Sequence, residues 1–535
     1  MPFMIGSASP REKKNNKQKP IEISILFTEF YSSCLRYLHS ILRMSMDGFQ
    51  KPHAVVLPFP ALGHYIPLLE LSRLVASQGL IISYVTTPAN VPRFQEFIDE
   101  AVNSGIDLRL IVIPTPPVEG LPEGRESADV CPPEPPGLIF TLANKLQQPF
   151  DAWMESQFQQ QELAAPPVCV VFDSFMGWAQ KSAEKFSISC VEFNPCGAFG
   201  VSGLISVSRS IMQRALQKEG EDCVVLSLDL PKPLRFQSHE INRPFWSVDE
   251  MNRATKIFAQ MSESVGKSGS GLILNTFEEL ESEYLRHLRN QTGKPVWALG
   301  PLLPVSNKVS TRGKMADIAA DELVRWLDSQ SAGSVLYVSF GSVINLSKEQ
   351  IKALATALEG SQQPFVWAIR VTESGSSGNV EYLPEGFLER TKYRGVVIWG
   401  WAPQLLILSH ASVGAFMNHC GWNSTLESLS LGVPITGWPM FADHFFNMRI
   451  LAEMGVGIQL CEHLDGIPDE EKVKEVLRQV LSDDKGKQMR MTAQKLRDMA
   501  RNAVEDGGSS KVNVQTFASE MHKLLKIRRE QSSLL

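Results

Sequence analysis

From residue 53 onward, short apolar runs rich in β-branched residues alternate with amphipathic segments of helix length. "HAVVLP" leads to "YIPLLELSRLVASQ" and then "LIISYVT"; "VCVVF" precedes "MGWAQKSAEKF", and "SISCVEF" precedes the segment from residue 198. Runs this apolar are suited to strands covered on both faces, and the segments between them are long enough to be crossover helices. The pattern predicts βα units around a parallel sheet. It lapses over "LGPLLPVSNKVSTRGKMADIAA" (299–320), where Pro and Gly occur without periodicity, and restarts with "SVLYVSF", "PFVWAIR", "GVVIW", "VGAFM" and "VPITGW". Ser347 and Gln350 have capping-box spacing at the start of "KEQIKALATALEG". Two such halves make a cleft, and ligands of these sheets bind at the carboxyl ends of the strands.

The expected organisation is an N-terminal extension over 1–50, poorly ordered; a first α/β domain over 51–303; a linker over 304–320; a second α/β domain over 321–508; and a helix over 509–527 that packs back on the first domain. A chain of 535 residues is long enough for two cores, since single cores stop growing at about 250–300 residues. Net charge is −6, which gives no electrostatic reason to bind nucleic acid. Eight scattered cysteines, with no C-x-x-C pair and no zinc spacing with His, fit a reducing, cytoplasmic compartment. The most apolar stretch near the start, residues 23–42, is interrupted by Glu29 and Arg36, so stable membrane insertion is not expected. Met44 or Met46 is a candidate initiator, with a targeting extension as the alternative.

"FMNHCGWNSTLESLSLGVP" (416–434) concentrates polar groups between two apolar runs. Ser424 and Glu427 fit a capping box, which would account for those two residues and no others. With the strand "VGAFM" before it and a helix beginning near Asn423 or Ser424, the stretch reads as a phosphate site. Free N–H groups and a partial positive charge face a ligand there, and Gly421 permits close approach. His419 and Ser424 can add hydrogen bonds. Glu427, a turn further on, suits a ribose diol; upstream, Trp401 offers a flat face to a nucleobase with Gln404 beside it.

The 44 residues from Trp401 to His444 resemble the signature box of plant family-one UDP-sugar-dependent glycosyltransferases. "GLILNTFEELE" (271–281), "WLDSQSAGSVLYVSFGS" (326–342), "LPEGF" (383–387) and "PFPALGHYIPLLEL" near the start resemble other segments of that family in the expected order. The resemblance runs from about residue 53 to about 526. It implies a GT-B fold, two Rossmann-like domains facing a central cleft, with the donor in the C-terminal one and the acceptor in the N-terminal one. It also implies that Trp401, Ala402 and Gln404 hold the nucleoside and Glu427 the ribose. His419, Gly421, Asn423, Ser424 and Ser342 would hold the diphosphate, Trp422 the region near the sugar, and Asp443 and His444 the sugar hydroxyls.

Catalysis requires a base for the acceptor hydroxyl. His64, in "LGHYIP" after the first strand, and Asp173, at the end of "VCVVFD", lie where parallel strands end, and a carboxylate orients an imidazole and stabilises its cation. Both match the family's His–Asp dyad. The implied reaction is inverting transfer from a UDP-sugar, with UDP displaced in line. No D-x-D motif occurs, so metal independence is expected and no cofactor beyond the donor co-substrate. A non-catalytic nucleotide-sugar-binding protein of the same fold is the alternative, and the presence of both His64 and Asp173 weighs against it. No G-x-G-x-x-G follows a first strand, and neither a Walker A sequence nor a G-x-S-x-G elbow is present. The acceptor pocket is expected from the loop after His64, residues 129–142 and residues 193–200, whose apolar and aromatic residues suit a small phenolic, flavonoid or terpenoid. His444 stands where the family usually has Gln, which points from UDP-glucose toward UDP-galactose or UDP-arabinose; a helix cap is its competing role.

Overall fold

The structure is a computed structural model that describes residues 51–533 apart from 133–136, 160–165, 213–216, 220–222, 227–229, 238–268, 304–317, 371–381, 441 and 462–465. The expectations for residues 1–50, for most of the linker and for the middle of the Pro-rich 129–142 stretch lie outside the described residues.

The first half is built on strands β1 (His53–Leu57), β2 (Ile81–Thr86), β3 (Leu108–Val112), β4 (Cys169–Asp173) and β5 (Ser189–Asn194). A small antiparallel sheet of β6 (Gln217–Glu219), β7 (Cys223–Leu226) and β8 (Leu234–Gln237) follows, then β9 (Leu272–Leu274) and β10 (Val296–Ala298). The seven-stranded parallel sheet runs β10-β9-β5-β4-β1-β2-β3. Every residue of β1 and β4 is buried, as the unbroken apolar runs require. Each fully buried Val, Leu or Phe contributes about 1.5–3 kcal/mol.

The second half carries β11 (Val335–Ser339), β12 (Phe365–Ile369), β13 (Gly395–Trp399), β14 (Val413–Asn418), β15 (Ile435–Gly437) and β16 (Gly457–Gln459) in the parallel order β13-β12-β11-β14-β15-β16. The Ser347 capping box forms: its hydroxyl accepts from the Gln350 N–H, and the Gln350 side chain accepts from the Ser347 N–H. This is the GT-B arrangement of two Rossmann-like sheets. Each sheet has one switch point, between β1 and β4 in the first and between β11 and β14 in the second, and there the loops diverge and leave a crevice.

The halves share apolar packing. Ala198, Phe199 and Leu204 of the first form one cluster with Phe446 and Ile450 of the second, and Phe277 and Leu280 pack with Trp422 and Leu426. The last helix, Ser509–Ser533, runs beyond the 509–527 read from the sequence. Its Val514, Phe517, Ala518, Met521 and Leu525 share the core beside β1 and β10, with Phe517 edge-on to Trp297. Among the described residues no helix is long and apolar enough to cross a membrane.

Candidate active site

β1 and β4 are neighbours, with Leu57 beside Phe172, so the turn after β1 and the last residue of β4 meet at the switch point. That turn runs into the Leu62–Ala76 helix, whose first turn holds His64. His64 Nδ1 lies 2.7 Å from Asp173 Oδ2. Asp173 is fully buried and its other oxygen accepts the Phe175 N–H at 3.0 Å, so the carboxylate is held from two sides. A carboxylate only accepts, which assigns the proton to Nδ1 and leaves Nε2 with its lone pair. The His64 side chain keeps 16% of its surface exposed. Its ring lies 5.2 Å from both Phe59 and Phe175, and Phe140 closes the cluster at 5.0 and 5.5 Å from those two. Phe140 falls in the predicted acceptor stretch. Phe59 and Phe175 were not singled out from the sequence, although an aromatic two residues past a strand end is the signal that marks both.

In the second half, β14 ends at Asn418 and the next helix spans Trp422–Leu431 with Gly421 as its N-cap. The helix therefore starts earlier than Asn423 or Ser424, and no side chain caps it. The Ser424–Glu427 capping box does not form. Both side chains instead accept from one amide: Gln404 Nε2 donates to Ser424 Oγ at 3.1 Å and to a Glu427 carboxylate oxygen, while Tyr337 donates its hydroxyl to Gln404 Oε1 at 3.3 Å. Glu427, 6% exposed, is thereby tied to Gln404 and does not cap the helix. Trp401 is half-buried and Ala402 buried just past β13. Gln404 opens the next helix.

The His419 ring is pressed between two glycines. A Cβ at Gly421 would lie 2.5 Å from Nε2, and one at Gly341 2.6 Å from Cε1, so neither position has room for a side chain. Burial pushes the His419 pKa down to about 4, so the ring is neutral at pH 7, and its Nδ1 is buried without a hydrogen-bond partner among the described residues. Ser342 follows β11, the strand paired with β14, and is half-buried. His419, Ser342 and the amides at the start of the Trp422–Leu431 helix thus meet at the second switch point, where a helix N-terminus suits an anion.

Three predicted residues, Trp422, Asn423 and Asp443, turn toward the other half, while His444 packs within its own. The Trp422 indole is 4% exposed and donates from Nε1 to the Asn275 carbonyl at 2.6 Å, and a Cβ at Gly197 would lie 2.6 Å from its ring. Its side chain is thus spent on the interface, and only its backbone N–H faces the helix start. Asn423 Nδ2 donates to the Gly63 carbonyl at 2.6 Å, and Asn423 Oδ1 accepts from Asn275 at 3.2 Å. Asp443 accepts from Asn447 Nδ2 at 2.8 Å and bonds the Cys196 thiol of the first half; burial raises its pKa. His444 is the first residue of the His444–Glu453 helix, and Asp443, the N-cap, makes no side-chain cap. The His444 ring packs edge-on to His419 at 4.8 Å between centroids, and its Nδ1 accepts the Met440 N–H at 3.4 Å, which replaces the capping role. Among the described residues no group of three or more His, Cys, Asp or Glu is placed to hold a metal ion.

One further contact bridges the cleft. Arg370, just past β12, donates to the Asp129 carbonyl at 2.6 Å, and Arg93 grips the Asp129 carboxylate.

Comparison with known proteins agrees with this geometry. Residues 52–304 match the family profile "Glycosyltransferase, N-terminal domain", and residues 261–499 match "UDP-glucoronosyl and UDP-glucosyl transferase". The chain is 35% identical over 480 residues to scopoletin glucosyltransferase of Nicotiana tabacum, covering 88% of this chain and 98% of that protein. It is 36% identical over 493 residues to UDP-glycosyltransferase 73C5 of Arabidopsis thaliana, covering 88% and 97%. Among solved structures, UGT73P12 of Glycyrrhiza uralensis with glycyrrhetinic acid 3-O-monoglucuronide superposes with a TM-score of 0.79 at 27% identity, covering 91% of this chain and 98% of that one. UGT89C1 of Arabidopsis thaliana with UDP-L-rhamnose gives 0.70 at 30% identity, covering 88% and 99%. With both halves matched, the two sheets in place and full-length relatives above 30% identity, the chain belongs to the plant UDP-glycosyltransferase family.

Proposed function

We propose that this UDP-glycosyltransferase moves a sugar from a UDP-sugar to a hydroxyl of a small, flat, lipophilic acceptor, with inversion at the anomeric carbon and without a metal ion. The observation that carries the reading is the 2.7 Å contact between His64 and the fully buried Asp173. His64 Nε2 takes the acceptor proton as the oxygen attacks C1, and Asp173 stabilises the resulting imidazolium. Charge developing on the leaving UDP meets the amides at the start of the Trp422–Leu431 helix together with His419, Ser342 and Ser424. Those donors are already oriented, so they stabilise the leaving group without reorganising. Glu427 accepts from the ribose hydroxyls, and Trp401 stacks on the uracil with Ala402 and Gln404 beside it. Asp443 and His444 meet the sugar. The thiols are read as the mark of a reducing, cytoplasmic compartment.

Phe59, Phe140 and Phe175 beside His64 favour an aromatic acceptor such as a phenolic or flavonoid, because a ring can join their edge-to-face packing. His444 sets the donor. With Nδ1 accepting from Met440, the ring's proton is assigned to Nε2 and its one acceptor nitrogen is already used. A Gln amide offers a donor and an acceptor, so the preference moves from glucose toward galactose or a pentose.

The test is a panel of phenolic acceptors with UDP-glucose, UDP-galactose and UDP-arabinose, read by mass spectrometry, with product configuration read by NMR. Inverted products are expected from wild type. His64→Ala is expected to lose about 10²- to 10⁴-fold in turnover with UDP affinity intact. Retained configuration, or wild-type turnover in His64→Ala, would overturn the mechanism.

A further inference from the structure

The helix that carries His64 contains Pro67. In an α-helix the carbonyl of Gly63 would accept from the N–H of residue 67, and proline has none. The carbonyl left over immediately precedes His64 in the chain. It is filled from the other half of the molecule: Asn423 Nδ2 donates to it at 2.6 Å, across 360 residues of sequence.

Asn423 is itself held. Its Oδ1 accepts from Asn275 Nδ2 at 3.2 Å, and Asn275 Oδ1 accepts the Leu302 N–H at 2.9 Å. The direction of this chain is not free to reverse. Leu302 N–H can only donate and the Gly63 carbonyl can only accept, so both amides between them are oriented by their ends. The chain starts where the first half gives way to the segment leading to the second, passes through the helix that fronts the proposed diphosphate site, and ends beside His64. Trp422, one residue before Asn423, donates to the carbonyl of the same Asn275.

We propose that Asn275 and Asn423 are positioning residues, a hydrogen-bonded strut that sets His64 relative to the diphosphate helix. Asn423 therefore serves catalysis through the Gly63 carbonyl, and its side chain does not bind the diphosphate. The assignment rests on the reading of His64 as the base. Pro67 makes the strut possible: it removes the competing donor within the helix, so the carbonyl's partner must come from across the cleft.

The two roles of Asn423 separate in kinetics. As a strut, Asn423→Ala lowers kcat by about 10- to 100-fold, the scale of a displacement near 1 Å, and leaves UDP affinity by calorimetry unchanged. As a diphosphate ligand it would weaken UDP and spare kcat, which would overturn the proposal. Pro67→Ala combined with Asn423→Ala separates positioning from simple satisfaction of a carbonyl, because an alanine in place of the proline supplies an N–H within the helix. The double variant is expected to regain thermal stability while kcat stays low; recovery of kcat would refute the strut. Asn275→Ala, a change outside both helices that leaves the backbone carbonyl bonded to Trp422 in place, is expected to show the same loss in kcat with UDP affinity intact, so the proposal remains open to refutation if Asn423→Ala does not fold. His64→Ala is run alongside. Wild-type turnover there removes the base reading itself, whereas an inactive His64→Ala with a fully active Asn423→Ala removes only the strut.

Discussion

His64 and His419 both stand at the switch point of a parallel sheet, His64 in the helix after β1 and His419 directly past β14. Their chemistry differs because their partners differ. His64 meets a buried carboxylate, keeps part of its surface open and faces aromatic rings. Among the described residues His419 meets no carboxylate: it is half-buried against two glycines and the ring of His444, and desolvation holds it neutral. Paired with Asp173, an imidazole can take a proton and have the cation stabilised. Desolvated and without a carboxylate beside it, an imidazole resists protonation and serves as a neutral hydrogen-bonding group. Residue type and a strand-end position therefore do not fix how readily an imidazole takes a proton; the residue in contact with it does.

The largest test of this contrast removes the partner. Asp173→Asn should lower kcat by about 10²- to 10⁴-fold with little change in UDP affinity, since the amide can present N–H to Nδ1 and favour the wrong tautomer. Wild-type turnover would mean that the pair is structural. Next in size, Glu427→Ala should weaken UDP by about 1.5–3 kcal/mol, the worth of hydrogen bonds to a charged group, and spare the chemical step measured at saturating donor. Calorimetry reads it directly; an unmoved affinity would place Glu427 in the Gln404 network alone.

His444→Gln should shift the ratio of UDP-galactose or UDP-arabinose use to UDP-glucose use by about tenfold toward glucose, near 1.4 kcal/mol. Competition between the donors on both proteins measures it, and a wild-type preference for UDP-glucose that the substitution leaves unchanged would refute the assignment.

The last test concerns stability. His419 has a native pKa of about 4, below its unfolded value near 6.5, so the unfolded chain binds the extra proton between those pH values and stability falls on acidification through that window. His444, also depressed by burial, acts in the same direction, while Asp443, whose carboxyl is raised by burial, acts in the opposite one. His419→Gln should flatten the decline between pH 6.5 and 5 by at most one proton's worth, about 1.4 kcal/mol per pH unit, in urea titrations. An unchanged slope would show that His419 is charged in the native protein.

How far the site was legible depended on the range of the interaction. His64 and Asp173 could be read because each lies at the end of an apolar run, and adjacent parallel strands bring their ends together. The Ser347–Gln350 box could be read because both partners sit in one turn. The identical spacing at Ser424 and Glu427 misled. Gln404, about twenty residues away, offers one amide to both side chains, and no local pattern reveals that competitor. Trp422 and Asn423 were likewise decided by Asn275, about 150 residues distant in the chain.

The alternation of buried strands with amphipathic helices, the break between two halves and the residues at the strand ends are all written in the chain's apolar pattern. Periodicity records burial, and burial is the term that selects strands and helices. What each polar side chain at those ends touches is set by the packing of distant segments. A hydrogen bond depends on a donor and acceptor meeting within a few tenths of an ångström, and the groups that meet Asn423, Trp422 and Asp443 reach them only when the two halves pack together.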